Sequence, residues 1–465
     1  MSNKLDIILF GATGFTGKRT IPKLHKIITS ERLSLTWGIA GRSEQKLKHT
    51  LKEIEENNGS ICFINMYSNK YLKLSFLGGN LSHIPIIVAD VNDSESLVKM
   101  ASKAKVVINM IGPYRFYGEP IVKACLATST HYLDVTGEPE FMEKIQLYYH
   151  EEAFKKQIYL ISSCGMDSIP CDMGAIFMMK NFKGTLNSIE AFIHMTEEGG
   201  SHPGPTLNYA TWASAVHGLA NYEKLTEIRS KLFLNRLPRY KPNLKLKKTV
   251  SKNKITGNWC LPFPGADRSV MLRTQRFFFE QYNQRPVQVQ CYYDFEKYYN
   301  AMLTIAMGSI FMSMCKYEWT RSLLLKYPRL FSLGSFTLGG PSEEKQKTSL
   351  YNLYLEGEGW SEKLSEPTEQ FKSPPNKTIS VKVTTRNPAY GATCTAAVLS
   401  AIMILTESDK MPNGCATDCH FIYTHLLNRM CFRGGCYTPG VAFGNTSLIQ
   451  KLDKYGMKFE IRSKL

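Results

Sequence analysis

Residues 5–17 read LDIILFGATGFTG, and this stretch decides the fold of the N-terminal part of the chain. An apolar strand runs into a turn with glycines at positions 11, 14 and 17, and a helical pattern of apolar residues follows. In such a turn Gly11 permits a sharp bend, Gly14 leaves space for a phosphate, and Gly17 lets the helix pack closely on the strand. Backbone N–H groups and the positive end of the helix then face an anion. The stretch therefore predicts a binding site for the diphosphate of a dinucleotide.

The spacing of this turn is GxxGxxG instead of GxGxxG, and such a pattern alone also arises by chance. Its place directly after a strand and directly before a helix favours a cofactor site over a structural turn without a ligand. The contacts to the dinucleotide are predicted to come from Gly11, Thr13, Gly14, Phe15, Thr16 and Gly17.

The end of the second strand, SLTWGIA at 34–40, indicates which dinucleotide is bound. An NAD site has an Asp or Glu about 20 residues beyond the glycines, where it binds the ribose 2′-hydroxyl. Here Gly41, Arg42 and Ser43 follow the strand, and no acid is present. Arg42 and Ser43 suit a 2′-phosphate, so NADP is predicted and NAD is less favoured. The alternative is that Arg42 is a solvated residue at the start of the next helix.

Further strands alternate with helical patterns and are predicted at residues 84–90, 105–111, 130–137 and 157–165. This alternation is typical of a parallel, doubly wound sheet whose ligands bind at the carboxyl edge. The strand tips then place Gly112 and Pro113 at the cofactor and Asp90 on its adenine side.

Beyond about residue 180 the pattern changes to consecutive strands, predicted at 187–195, 269–280, 286–295, 349–360 and 378–387. The fold class is therefore α/β, with an N-terminal parallel sheet and a second α+β domain of mainly antiparallel sheet. We expect the first domain to span 1–180 and the second 181–390, with residues 391–465 forming C-terminal helices and a strand that return to the core.

Composition places the chain among globular proteins: it has 465 residues, of which 43% are hydrophobic. The start of a strand so close to Met1 favours cytosolic synthesis without a signal peptide. Twelve irregularly spaced cysteines then indicate reduced thiols, with Cys125, Cys164 and Cys394 in the core. Metal binding is not favoured, because no zinc-site spacing occurs in the densest group of ligand types, Cys415, Cys419, His420, His425, Cys431 and Cys436.

The formal net charge of +17 is concentrated in part at residues 229–254, which hold ten Lys or Arg and no acid. This basic strip is either a solvated loop or a contact for anionic lipid headgroups. Nucleic acid is not favoured as a partner, because no recognised binding module accompanies the strip.

An apolar segment lies at residues 298–331. Its first 18 residues carry no charge, and the rest mix Lys, Arg, Trp, Tyr and Leu in the manner of an interfacial helix. Two readings stay open, a buried core helix and an insertion into one leaflet or monolayer. A true span is less favoured, because Gly308, Ser309 and Ser313 interrupt a stretch that is barely long enough.

Seven blocks of sequence occur in a fixed order over nearly the whole chain: GATGFTG, AGRS, VINMIGPYRFYGEPIVKAC, HYLDVTGE, CGMDSIPCDMG, LPFPGADRSV and CYTPGVAF. Through these seven ordered blocks the chain resembles the saccharopine dehydrogenase-like oxidoreductases of animals. It resembles the trans-acting enoyl reductases of bacterial glycolipid biosynthesis more distantly. The resemblance implies an NAD(P)-binding Rossmann domain, a saccharopine-dehydrogenase-like second domain, and a cytoplasmic protein associated with lipid droplets or membranes. The polar pocket in which true saccharopine reductases hold a dianionic amino acid cannot be matched to residues here. Since the chain has a basic strip and an apolar segment instead, a lipid or lipid-linked substrate is expected.

Hydride transfer to a C=C or C=O bond also needs a proton donor. The candidates are Tyr114, at a strand tip, and Asp167, in the loop CGMDSIPCDMG. The alternative for Asp167 is that it caps, with Ser168, a helix that begins near Pro170. A Tyr293/Lys297 pair has the spacing of a short-chain dehydrogenase site but lies outside the first domain, and we discard it.

Two functions are therefore considered. The first is an NADP-dependent oxidoreductase that acts on a lipid substrate, and the second is a catalytically inactive NADP-binding adaptor or sensor of lipid droplets. A homodimer stays open.

Overall fold

The structure is a computed structural model that describes residues 4–58, 80–200, 203–253, 255–364, 366–414 and 432–462. The first part alternates strands and helices: β1 (Leu5–Phe10), α1 (Phe15–Ser30), β2 (Trp37–Gly41), α2 (Glu44–Asn58), β3 (Ile86–Val88), α3 (Ser94–Ala101), β4 (Ala104–Asn109), α4 (Tyr114–Ala127), β5 (His131–Asp134), α5 (Pro139–Lys155) and β6 (Tyr159–Ile161).

The remainder of the chain is longer and less regular. Its elements are α6 (Ile169–Asn181), β7 (Thr185–Glu197), β8 (Leu207–Asn208), α7 (Tyr209–Ala220), α8 (Tyr222–Leu232), β9 (Ser251–Lys252), β10 (Trp259–Pro262), α9 (Asp267–Tyr282), β11 (Gln288–Phe295), α10 (Tyr298–Lys316), α11 (Glu318–Lys326), α12 (Pro328–Phe331), β12 (Phe336–Thr337), α13 (Glu343–Thr348), β13 (Ser349–Trp360), β14 (Lys377–Arg386), a π-turn (Pro388–Ala392), α14 (Thr393–Thr406), a 3-10 turn (Ser408–Lys410), β15 (Asn413–Gly414), β16 (Phe432–Arg433), β17 (Gly435–Tyr437), α15 (Pro439–Phe443), α16 (Leu448–Lys454) and β18 (Met457–Arg462).

The first sheet is parallel throughout, in the order β3-β2-β1-β4-β5-β6-β17. Its central strands are buried on both faces, as in β1, where Ile7, Ile8, Leu9 and Phe10 are inaccessible to solvent. The strand order reverses direction between β1 and β4, which creates a crevice at the carboxyl edge of the sheet. The predicted parallel sheet is confirmed, and β17 adds a strand from the far end of the chain.

The second sheet has the order β18-β14-β13-β7-β11-β10-β9. All its neighbouring strands are antiparallel except β7 and β11, which run parallel. The predicted α+β class is confirmed. The main hydrophobic core joins side chains of both sheets with α1, α6 and α14.

One predicted strand is wrong: residues 269–280 lie in α9. Its valine and aromatic residues are typical of strands, but the apolar triplets at 270–272 and 277–279 have helical spacing, and the neighbours Val270 and Met271 are both buried. A strand points neighbouring side chains to opposite faces, whereas a helix buries such a pair on one side.

Helix α14 illustrates how apolar a core helix is in this protein. Among the described helices, only the run Pro388–Thr406 is long and apolar enough to cross a membrane, and 78% of its apolar window is buried. Cys394, on this helix, is buried together with Cys125 and Cys164, and all three are free thiols as predicted.

The segment 298–331 forms α10, α11 and α12, and the core-helix reading of it is wrong. Of the nineteen residues of α10, only Ala301 and Cys315 are buried. A small separate cluster, centred on Trp212 of α7 with Cys315 and Leu324, attaches these helices to the rest of the protein. We call residues 207–220 and 298–340 the platform, because its outer side presents many apolar side chains to solvent.

Candidate functional site

The glycine-rich loop has the geometry that the sequence predicts. Gly11 has a φ of +84°, and its N–H donates to the Ala40 carbonyl at 3.0 Å. A Cβ on Gly17 would lie 2.1 Å from the Gly11 carbonyl oxygen, so only glycine allows α1 to approach β1 this closely. At Gly14 the same construction meets only the Gly11 carbonyl oxygen, at 3.2 Å, and the Thr13 and Gly14 positions are exposed. The loop is therefore closely packed where α1 meets β1 and accessible to solvent at Thr13 and Gly14.

The N-terminus of α1 is ready to receive an anion. Gly14 is the N-cap, no side chain caps the first turn, and that turn contains no acidic residue. The backbone donors of Phe15, Thr16 and Gly17 begin a helix whose positive end faces the open side of the loop. An uncapped helix start beside an open glycine fits the pyrophosphate of a dinucleotide.

The adenine side of the crevice is formed by the ends of β2 and β3. Arg42 is exposed directly after β2, and within the described part of the chain its guanidinium has no ion-pair partner. Ser43 accepts from the Lys46 N–H at 3.3 Å and so begins α2. Asp90 follows β3, where its carboxylate accepts from the Asn92 N–H at 2.9 Å. These positions are compatible with a ribose and its 2′-phosphate.

The tip of β4 lies directly beside the glycine-rich loop. The Met110 N–H donates to the Phe10 carbonyl at 2.9 Å, and the Ile111 side chain lies 2.7 Å from where a Cβ on Gly11 would be. Gly112 and Pro113 are half-buried between this strand and α4. The predicted phosphate side and the predicted nicotinamide side of the site are therefore continuous.

Tyr114 points away from the crevice. Its hydroxyl donates to the Asn109 carbonyl at 3.1 Å, and its ring packs near Phe141 in the core on that side of the sheet. Burial, reinforced by Asp134, raises the pKa of Tyr114 well above its ordinary value. A proton on this hydroxyl is held inside the core.

Asp167 lies at the tip of β6, where it lines the space between the two sheets. Its side chain is exposed, and no hydrogen-bond donor contacts the carboxylate within the described residues. A Cβ on Gly137 would lie 2.7 Å from Asp167 Oδ2, so the carboxylate rests against the tip of β5. The carboxylate is accessible from this space, but the many protein atoms around the space displace bulk water and so raise the pKa of Asp167. Neither Asp167 nor Ser168 caps α6, because no side chain bonds to the first turn of that helix.

The second domain supplies an aromatic wall near Asp167. Tyr293 of β11 packs edge-on against Phe263 at 4.8 Å and belongs to the inner face of the second sheet. Its neighbour Tyr292 points to the outer face, where its hydroxyl accepts from the Lys247 N–H. Burial, together with the carboxylates of Asp167 and Asp267, raises the pKa of Tyr293 to about 12. Tyr293 lies on a strand and Lys297 at the start of α10, so they do not form a helical Tyr-Lys pair.

The second domain also covers the start of α1. The ring of Phe15 packs edge-on against Tyr390 at 4.7 Å, and the Arg19 guanidinium lies 3.7 Å from the centre of the Phe15 ring. Gly340 of the platform approaches the same ring so closely that a Cβ there would lie 2.6 Å from it. The residue after Gly14 is therefore enclosed by residues more than 300 positions away.

The suggested group of metal ligands at 415–431 lies outside the described residues. Cys436 is described and is a buried free thiol in β17. Among the described residues no cluster of three or more His, Cys, Asp or Glu side chains is arranged to hold a metal ion.

A groove elsewhere on the protein is separate from this site. It has a volume of about 350 Å³, lies at the C-terminal end of α6, and is lined by residues such as Phe177, Lys180 and Phe459. Asp167 precedes the opposite end of the same helix, so the groove takes no residue from the crevice.

The fold and the loop define an oxidoreductase-type dinucleotide-binding protein, and comparison with known proteins identifies its family. The family described as "Saccharopine dehydrogenase NADP binding domain" matches residues 7–161. The "Saccharopine dehydrogenase-like oxidoreductase" of Rattus norvegicus is 33% identical over 460 residues, which cover 98% of this chain and 97% of the relative. The "Lipid droplet localized protein" of Caenorhabditis elegans is 30% identical over 467 residues, 99% of either chain.

Among solved structures, saccharopine dehydrogenase (L-Glu forming) of Saccharomyces cerevisiae has a TM-score of 0.52 and 11% identity, with 99% of this chain and 100% of that chain covered. That likeness concerns the fold. The protein therefore belongs to the saccharopine dehydrogenase-like oxidoreductases, a family with an NADP-binding domain.

Several residues of the site are not apparent from sequence reasoning. Tyr390 and Gly340 carry no motif of their own, and Tyr293 is dismissed for lack of a helical context. Arg115 is also missed, although its guanidinium donates to Glu138 at 3.1 Å and to the His217 carbonyl at 2.6 Å. Each joins parts of the chain that are distant in sequence, so no local spacing could reveal it.

Proposed function

We propose that the protein is an NADP-dependent oxidoreductase that transfers a hydride between its cofactor and a lipid or lipid-linked substrate at a lipid droplet or membrane surface. The observation that supports this proposal is the position of the Asp167 carboxyl, which has no hydrogen-bond donor among the described residues and rests against Gly137, at the carboxyl edge of the sheet that also carries the glycine-rich loop.

NADP(H) would be held by the residues of that crevice. The first-turn N–H groups of α1 would bind the pyrophosphate, and Arg42 and Ser43 would bind the 2′-phosphate, which favours NADP over NAD. Gly112 and Pro113 would leave room for the nicotinamide, and Asp90 would lie on the adenine side. The bound cofactor supplies the hydride.

Asp167 would hold the proton that accompanies the hydride. The protein atoms around the crevice raise the pKa of its carboxyl, which favours the protonated form. Tyr114 suits this role less well, because its hydroxyl already donates to a carbonyl inside the core. The aromatic wall of Tyr293 and Phe263 would exclude water and accept an apolar substrate.

A lipid substrate is supported by the surface around the site. The platform presents apolar side chains to solvent, which is typical of contact with a lipid layer. The name of the C. elegans relative also supports a location at lipid droplets.

The test is transfer of deuterium from NADPH labelled at the nicotinamide C4. Purified protein is incubated with this cofactor and a lipid-droplet extract, and the lipids are analysed by mass spectrometry with both labelled faces of the ring tested. We expect a lipid that gains one deuterium, with the rate lowered at least about 100-fold in Asp167→Asn. Asp409→Asn, on an exposed turn, serves as the matched control.

Absence of label in every lipid, from a folded protein that binds NADPH, would contradict the enzyme assignment. That result would instead support an NADP-binding adaptor or sensor.

A further inference from the structure

The platform exposes many large apolar side chains. Its large exposed side chains lie on α10, α11, α12 and the segment that follows: Tyr298, Tyr299, Met302, Leu303, Ile305, Ile310, Met312, Tyr317, Trp319, Tyr327, Leu330, Leu333 and Leu338. Ile310 is 62% exposed and Leu338 is 77% exposed, whereas core side chains of this protein are nearly inaccessible. A patch of this extent on a soluble protein marks a surface that binds another apolar phase.

The rim of this surface is basic and aromatic, which identifies the phase as an anionic lipid layer. Exposed cations stand at the ends of the helices, at Lys297, Lys316, Lys326 and Arg329. A depression on α11 and α12 combines two of these cations with Tyr327, Leu330 and Leu333. Aromatic and basic side chains at the edge of an apolar surface are typical of residues that lie at the level of lipid headgroups.

The basic strip adjoins the same surface. Lys252, near its end, lies 5.1 Å from the centre of the Trp259 ring, and that ring packs against Tyr298 at 4.9 Å. The strip therefore extends the positive rim from the first residue of α10. Anionic lipid headgroups would be attracted by this positive charge, whereas a purely apolar protein surface would not.

The inner side of the platform contacts the start of α1, the helix that faces the pyrophosphate. Gly340 lies against Phe15, and the Asn208 N–H donates to the Tyr390 hydroxyl at 2.8 Å, which positions the other ring that encloses Phe15. Strands β8 and β12 pair here, Leu207 with Phe336, and so tie both ends of the platform together.

The platform also contacts the start of α4, the helix that follows Gly112 and Pro113. The Ser214 hydroxyl donates to Glu138 Oε1 at 2.8 Å, and the same carboxylate accepts from the Tyr114 N–H at 2.9 Å. Arg115 completes the connection by donating to both Glu138 and the His217 carbonyl. One structural unit thus presents the lipid-facing surface and braces both helix starts at the cofactor crevice.

We propose that docking of the platform on an anionic lipid surface and binding of NADP(H) in the crevice stabilise each other. Lipid contact restrains the platform in the position that braces α1 and α4, and the cofactor restrains those same helix starts. The ligand that binds first therefore reduces the conformational entropy that the protein loses when the second ligand binds. This inference rests on the cofactor part of the proposed function and does not depend on turnover.

The test is an NADPH titration, followed by cofactor fluorescence, of the full chain with and without vesicles. The vesicles are phosphatidylcholine with phosphatidylserine, and pure phosphatidylcholine is the comparison. We expect saturating anionic vesicles to lower the Kd for NADPH at least about fivefold, with a weaker effect at high salt. By linkage, NADPH must raise the vesicle affinity by the same factor in co-sedimentation.

Two variants separate docking from coupling. Leu303→Ser with Ile310→Ser should weaken vesicle binding, so that the vesicle effect needs a higher vesicle concentration, while leaving the vesicle-free Kd for NADPH unchanged. Ser214→Ala should retain vesicle binding but reduce the vesicle effect, because it removes one contact between the platform and Glu138.

An equal Kd for NADPH with and without saturating anionic vesicles would overturn the coupling. The coupling would also be overturned if the protein failed to bind vesicles and light scattering showed a dimer that Leu303→Ser with Ile310→Ser dissociates. That result would show that a second copy of the chain covers the platform. If the folded chain binds vesicles but not NADPH, both the coupling and the proposed cofactor are contradicted. If the deuterium experiment gives only unlabelled lipids, the proposed reaction alone is contradicted.

Discussion

Gly14 and Gly17 are three residues apart in one turn, yet an added side chain would meet different surroundings at each position. At Gly17 a Cβ would overlap the Gly11 carbonyl oxygen, 2.1 Å away. At Gly14 the backbone is extended, with φ of −72°, and the space above is open. Glycine is thus needed at position 17 for packing, whereas at position 14 it is required only by the proposed ligand.

Gly14→Val is therefore expected to abolish NADPH binding with a change in unfolding free energy of only about 1 kcal/mol. The valine methyl groups would occupy the place of the pyrophosphate, while the backbone conformation stays accessible to any residue. The measurement combines an NADPH titration with thermal unfolding. Gly17→Val is the comparison and should lower Tm markedly; a folded Gly14→Val that still binds NADPH would exclude this loop as the phosphate site.

Arg42 is the residue at which cofactor preference is predicted to be decided. One charge-assisted hydrogen bond to the 2′-phosphate contributes about 1.5–3 kcal/mol, which corresponds to about a tenfold difference in Kd or more. NADPH should therefore bind at least about tenfold more tightly than NADH, and Arg42→Ala should remove most of that ratio. Lys52→Ala, an exposed substitution on α2, is the control. Equal affinities of the unsubstituted chain for the two cofactors would disprove the preference.

At the scale of elements, α10 is a helix without a buried face of its own. It contacts the protein in both halves: Tyr298 packs against Trp259 at 4.9 Å near its start, and Phe311 packs against Trp212 at 4.8 Å near its end. The rest of its apolar surface is free to enter a lipid layer to the depth of one leaflet. The residues of α10 that anchor the helix are therefore different from those proposed to contact lipid.

Changing Leu303, Ile305 and Ile310 together to Ser is expected to lower vesicle binding at least about tenfold while the protein stays folded, because these side chains are exposed. Phe311→Ser should instead destabilise the protein, since it removes a packed ring. Flotation with liposomes or lipid droplets, paired with thermal unfolding, measures both effects. Val98→Ser, exposed on α3, is the control, and undiminished flotation of the folded triple variant would show that α10 does not contact lipid.

At the scale of the whole molecule, Asp172 joins parts of the chain that are far apart. Its carboxylate, on α6, accepts from the Thr274 hydroxyl of α9 at 3.0 Å and from the Gly440 N–H of α15 at 2.6 Å. Both bonds reach Oδ2, and Oδ1 is buried without a partner. Burial raises the pKa of this carboxyl from 3.8 to about 6.

This pKa predicts a loss of stability as pH rises. The folded chain binds the proton more tightly than the unfolded chain, so the contribution of Asp172 falls between about pH 4 and pH 6, and the loss persists above that range. Asp172→Asn keeps an acceptor for both donors and does not titrate. We expect it to gain about 3 kcal/mol relative to the unsubstituted protein between pH 4 and pH 7 in urea unfolding. Parallel stability profiles for the two proteins would contradict the assignment.

The sequence by itself determined the cofactor loop and the alternation of strands and helices around it. These features are local: a glycine with positive φ, a helix start without a cap and a buried apolar strand each depend on residues within one turn of the chain. The same reading placed Arg42, Asp90, Gly112 and Pro113 at one edge, because parallel strands end on the same side of their sheet. It failed at α9, where the valine and aromatic content suggests a strand although the apolar triplets at 270–272 and 277–279 recur seven residues apart, which is a helical spacing.

Only the tertiary structure decided what surrounds this loop and what α10 faces. Tyr390 and Gly340 reach Phe15 from more than 300 residues away, through packing that no local pattern encodes. The apolar residues of α10 and of α14 read alike in sequence, yet α14 is buried and α10 is largely exposed. Burial depends on which other elements cover a helix, and an apolar side chain gains free energy equally from a protein core or a lipid layer. The sequence therefore makes α10 apolar, and the fold leaves most of its surface exposed.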